Sequence, residues 1–75
     1  MNKTGEYKFT IIVPVYNEVD NIYALEKAIS EFLPKSIYKA CALFVNDGSS
    51  DGSLARIQEV CARNKDFYYI SFVKN

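Results

Sequence analysis

Two short apolar runs, each ending in a polar turn segment that leads into a helical stripe, constrain this chain more than any other feature. The first, Phe9-Thr-Ile-Ile-Val-Pro-Val15, is rich in β-branched residues and apolar at odd and even positions alike. The second, Ala40-Cys-Ala-Leu-Phe-Val45, repeats the pattern. Apolar character on both faces is expected of a strand in a parallel sheet covered by helices on either side. Pro14 has no N–H to give to a ladder, so the first strand is predicted to end at about Val13 to Val15.

Between the runs the period changes. Ile22, Leu25, Ala28, Ile29, Phe32 and Leu33 recur at three- and four-residue steps, while Glu26, Lys27, Ser30 and Glu31 fall on the other side. That spacing predicts an amphipathic helix opened by Asp20 or Asn21 and stopped by Pro34. A second stripe, Leu54, Ile57, Val60 and Cys61, follows the eight turn formers Asn46 to Ser53, and Phe67 to Val73 reads as a third strand. The fold class is therefore α/β, with a three-stranded parallel sheet in the order β-α-β-α-β, one half of a Rossmann-like domain. Residues 1–8, with Gly5 and three charges, read as a flexible lead-in, and residues 9–75 as a single unit. Seventy-five residues form a marginal core, but 49% hydrophobic content argues for a folded chain.

Nine basic residues balance nine acidic ones, so nucleic acid and anionic membrane are not expected partners of this segment. Phe9 to Tyr16, the longest nearly apolar stretch, is far short of the roughly 20 residues of a membrane span, and the N-terminus lacks a signal peptide's apolar centre. A cytoplasmic location is expected. Cys41 and Cys61 stand without histidine or a Cys-x-x-Cys pair, which favours two reduced packing residues over a zinc site.

In an open parallel sheet, ligands bind outside the carboxyl ends of the strands. Pro14-Val-Tyr-Asn-Glu18 leaves the first strand there and Asn46-Asp-Gly-Ser-Ser50 the second, and neighbouring strands about 4.8 Å apart would bring both to one crevice. The Asp47 carboxylate can accept hydrogen bonds from a nucleobase N–H or a ribose hydroxyl, or can close a turn before Gly48. Gly48 permits a positive φ or a close approach to a ligand. Tyr16 can pack beside a base or simply cover the strand end. Glu18 can hold a hydroxyl or sit at the positive end of the first helix. Asp51 and Ser53 read as caps of the second helix.

Val13-Pro-Val-Tyr-Asn-Glu18, followed about 30 residues later by Val45-Asn-Asp-Gly-Ser-Ser-Asp-Gly-Ser53, resembles the inverting family 2 glycosyltransferases of the GT-A fold. The resemblance covers Phe9 to Asn75 and implies a nucleoside-diphosphate sugar as ligand, a UDP- or GDP-sugar. It implies that Pro14, Tyr16, Glu18, Val45, Asp47 and Gly48 line the nucleotide-sugar site. Asn46 stands where many members carry Asp. The family also uses an Asp-x-Asp motif for Mg or Mn and a later catalytic base. Neither is found here, so no catalytic or metal-binding residue is expected in this chain. The resemblance thus implies the N-terminal, nucleotide-sugar-binding part of a hexosyltransferase, inactive by itself. The longer enzyme would act on a polysaccharide or a lipid-linked polyprenyl phosphate at the cytoplasmic face of a membrane. Exposed sheet edges in so short a chain predict self-association.

Two other readings compete. Asp47, Ser49, Asp51, Gly52 and Ser53 match the early ligand positions of an EF-hand calcium loop, but Gln58 occupies the place of the closing glutamate and the preceding segment reads as strand. A small non-enzymatic α/β interaction module is the second.

Overall fold

β-Branched and aromatic residues pack well on a pleated surface, and the strands form where they concentrate. A computed structural model describes residues 7–72. The strands are β1 (Phe9–Val15), β2 (Ala40–Asp47) and β3 (Phe67–Phe72), and the helices are α1 (Ile22–Phe32) and α2 (Ser53–Arg63). Val73, expected in the third strand, and residues 1–6 of the expected lead-in lie outside the described residues. Tyr7 and Lys8 are tied down: the Lys8 N–H donates to the Lys39 carbonyl, and the Tyr7 hydroxyl donates to Asp66 at 2.7 Å.

The sheet is parallel, in the order β1-β2-β3. Phe9 stands opposite Ala40 and Val15 opposite Asn46, while Ala42 faces Phe67 and Asp47 faces Phe72. As an edge strand, β1 accommodates Pro14 as its penultimate residue within a continuous register. A 3-10 turn at Val19–Asn21 precedes α1, and a second at Leu33–Lys35 carries Pro34 out of it. Asn21 occupies the cap position of α1, yet its side chain makes no cap bond; its amide donates instead to Glu18 at 2.7 Å.

Two expectations need correction. β2 runs through Asn46 and Asp47, two residues beyond Val45, because Val15 of β1 and Ser71 of β3 flank Asn46 and Phe72 of β3 pairs with Asp47. And among the described residues the helices cover one face of the sheet only. Successive right-handed crossovers that step the same way across a sheet leave their helices on the same side. Val13 and Val15, Ala42 and Phe44, and Phe67 therefore share one core with Ile22 and Ile29 of α1 and Ile57 and Val60 of α2. The opposite face carries Ile12 at 57% exposure and Phe72 at 55%, with Ile70 beside them.

The helices are joined outside the core. Arg63 donates two parallel hydrogen bonds to Glu26, at 2.7 and 2.6 Å, and Asn64 adds a third at 2.8 Å. The Arg63 and Arg56 guanidinium groups lie over the Tyr23 ring, 5.6 and 4.7 Å from its centre. Cys41 is buried and Cys61 half-buried, both as free thiols.

Candidate functional site

Side chains alternate across a strand, and at the carboxyl end of β2 that alternation separates two adjacent polar residues. Asn46, opposite Val15, turns towards the helices and is 2% exposed. Asp47 falls on the uncovered face and is exposed. Pro14 and Val45 stand opposite each other in the β1–β2 register, so they share that face with Asp47. No hydrogen bond or ion pair among the described residues engages the Asp47 carboxylate. Gly48 follows at φ 69°, where a side chain would be strained. Three of the six expected site residues thus form one patch at the strand ends, and Gly48 adjoins it.

The remaining two lie on the loop after β1. Tyr16 is exposed and Glu18 half-buried, its carboxylate held by Asn21. Between them Asn17 adopts φ 51°, a left-handed backbone uncommon outside glycine and best tolerated by Asn and Asp. Five hydrogen bonds stitch this loop to the β2–α2 side of the crevice. The Asn17 N–H donates to Ser49 Oγ at 2.9 Å, and the Ser50 N–H returns to Asn17 Oδ1 at 2.8 Å. The Glu18 N–H donates to Ser53 Oγ at 2.9 Å and the Val19 N–H to Asp51 Oδ2 at 3.3 Å. Arg56 closes the seam by donating to the Val19 carbonyl at 2.8 Å.

Most of the polar turn is therefore occupied by structure. Asp51 accepts the Ser53 N–H at 2.8 Å and so caps α2 from outside it, while Ser53 itself is buried against the other loop. Hydrogen bonding from Ser53, then from the Val19 N–H, holds the Asp51 carboxyl below its ordinary range. Behind the turn, Asn46 donates to Ser71 Oγ at 3.0 Å and accepts the Ser49 hydroxyl proton. Asn17, Ser71 and Arg56 are not among the site residues expected from the sequence, and Ser49 enters there only as a match to a calcium loop. Only Asn17 carried a signal, since Asn in a tight turn is the residue to suspect of a positive φ.

The site offers acceptors, exposed aromatic and apolar surface and a permissive glycine, a set able to hold a polar ring system. Among the described residues no group of three or more His, Cys, Asp or Glu side chains comes together to hold a metal. The described residues thus do not by themselves make up a divalent-cation site. The turn that resembles a calcium loop is entered by a strand, and Ser49 and Asp51 are already engaged across the crevice. Among the described residues no helix is long and apolar enough to cross a membrane.

The sequence that builds this site has relatives. CsbB of Bacillus subtilis (strain 168), named as a glycosyltransferase, is 33% identical over 66 residues, covering 88% of this chain and 20% of that protein. The bactoprenol glucosyl transferase of Shigella phage SfV is 31% identical over 68 residues, covering 91% of this chain and 22% of its own length. A prophage bactoprenol glucosyl transferase homolog of Escherichia coli (strain K12) matches to the same extent. The chain spans about a fifth of the length of these relatives. A family profile described as "Glycosyl transferase family 2" matches residues 10–75, from the second residue of β1 onward. With both strand-end motifs inside that match, the chain belongs to glycosyl transferase family 2.

Proposed function

We propose that this chain forms the nucleotide-holding part of a transferase that takes a sugar from a nucleoside-diphosphate sugar. One observation carries the reading: the exposed Asp47 carboxylate shares the uncovered face with Pro14 and Val45, where two neighbouring parallel strands end. Asp47 accepts hydrogen bonds from a base N–H or a ribose hydroxyl, and Val45 and Pro14 supply apolar surface beside the ring. Tyr16 packs against the nucleotide from the neighbouring loop, and Glu18 takes a hydroxyl of the ribose or sugar. Gly48 lets the backbone come close.

The longer protein is proposed to be a hexosyltransferase acting with inversion, the acceptor hydroxyl or phosphate attacking the anomeric carbon from the face opposite the diphosphate. The glucosyl transferase names of the relatives support a hexose, and the word bactoprenol in them supports a polyprenyl phosphate over a polysaccharide acceptor. Such an acceptor places the reaction at the cytoplasmic face of a membrane. A divalent cation is proposed for the longer protein, held by residues outside this chain. The described residues bind and orient, and the chain by itself is proposed to be inactive.

Amide chemical-shift titration with UDP, GDP and their sugar conjugates tests the reading. Millimolar binding, about −4 kcal/mol, is expected of a part-site, with shifts centred on Tyr16 to Glu18 and Asp47 to Ser49. Shifts induced by Ca²⁺ alone over Asp47 to Gln58, with no response to nucleotides, would refute it.

A further inference from the structure

Asn46 cannot touch a ligand from its position under the helices, yet its hydrogen bonds lead directly to the exposed loops. Its amide nitrogen donates to Ser71 on β3, which commits its oxygen to face the other way. That oxygen accepts the one proton of the Ser49 hydroxyl. The Ser49 oxygen is thereby left with lone pairs only, and one of them accepts the Asn17 N–H at 2.9 Å. Each partner in this relay has its donor or acceptor role dictated by the one before it. The relay runs from β3 through β2 to the loop after β1, and ends at the residue between Tyr16 and Glu18.

Asn17 is also the residue with the unfavourable backbone. Its left-handed φ of 51° is kept only if neighbouring groups over-determine it. Two bonds do so: the Ser49 oxygen takes its N–H, and its own side-chain oxygen takes the Ser50 N–H at 2.8 Å. Both come from the loop that carries Asp47 and Gly48. The separation between the two halves of the crevice is therefore set before any ligand arrives, which removes an ordering cost from binding.

We infer that Ser49 is a positioning residue for the donor nucleotide: backed by Asn46 and Ser71, it holds the Asn17 backbone so that Tyr16 and Glu18 stand at a fixed distance from Asp47. This rests on the nucleotide-holding reading above. It makes the serine after Asp47-Gly48 part of the site's geometry without contact to the ligand.

The test compares Ser49→Ala and Ser49→Thr with the unsubstituted chain. UDP and GDP serve as probes, with amide exchange at Asn17 and thermal midpoints measured alongside. Ser49→Ala is expected to speed Asn17 exchange and weaken nucleotide binding about tenfold, the effect of about 1.4 kcal/mol. Ser49→Thr, which keeps the hydroxyl, should restore both. Should Ser49→Ala fail to fold, Ser71→Ala reads the same relay from its far end, with an expected loss of about threefold, on the order of 0.7 kcal/mol. A chain that binds nucleotide equally well with and without the Ser49 hydroxyl overturns the inference alone. Silence of the unsubstituted chain towards every nucleotide overturns the nucleotide reading and the inference together.

Discussion

Replacing Glu26 by Gln tests whether the two helices are held by charge as well as by their apolar stripes. The glutamate accepts both parallel donors of Arg63 and the Asn64 amide, and its side chain is only 15% exposed. Glutamine keeps the shape but loses the charge and turns an amide N–H₂ towards a guanidinium. Bonds to charged groups contribute about 1.5–3 kcal/mol each when sheltered. Arg63, however, is half exposed, so water screens the pair and the lower end applies. A loss of about 1–2 kcal/mol is expected, or about 5–15 °C in midpoint for a domain of this size. The pH dependence gives the sharper check. Hydrogen bonding from Arg63 is the main reason the folded-state pKa of Glu26 lies below its ordinary value. A depressed carboxylate pKa means stability that is complete above the unfolded-state pKa and lost as pH falls through the folded one. Melting followed by circular dichroism should therefore show the full gap between parent and Glu26→Gln at pH 7. The gap should narrow below about pH 4 and close in stronger acid. Equal midpoints at pH 7, or a gap that persists undiminished in acid, would refute the reasoning.

Three further outcomes are expected. Asp47→Asn should weaken UDP or GDP binding by about tenfold or more with little change in midpoint, since the carboxylate is exposed and supports no other group among the described residues; a fall in stability equal to the fall in affinity would make Asp47 a turn residue. The joint change Ile12→Lys and Ile70→Lys should reduce self-association in sedimentation, because both residues lie on the uncovered face; a parent chain already monomeric at high concentration would contradict this. Burial pushes the Cys61 thiol up to about 11, so alkylation at pH 8 should be far slower in the folded chain than in urea, and equal rates would show the thiol is not sheltered.

The elements were legible because each has a local cause: β-branched runs, a 3.6-residue stripe, and prolines at positions 14 and 34. Which face of the sheet would be covered was not. Apolar residues at both odd and even positions of β1 record that both faces are suited to burial, and strand order, a long-range property, decides which is buried. The turn after β2 was legible as a place but not in its division of labour. Asn46 and Asp47 are both short and polar, and only the register sends one inward and the other out. That register extends past Val45 because Ser71 and Phe72 arrive from β3, about 25 residues away. Ser53, read as a helix cap, turned out to serve the opposite loop through its hydroxyl, a contact across 35 positions that no local spacing announces.

The central place of β2 also bears on how the chain folds. Every strand pairing in the described residues includes β2, and β1 and β3 never meet. Pairing β1 with β2 closes a loop of about thirty residues and pairing β2 with β3 one of about twenty-five, so the two closures carry nearly equal entropic cost, since that cost grows only with the logarithm of length. Neither half then has a topological head start. Two routes, starting from either strand-helix-strand half, should converge on the native sheet, and β2 is the segment common to both. Substitutions in Ala42 or Phe44 should therefore slow folding, while equally disruptive changes in β1 or β3 should act mainly on unfolding.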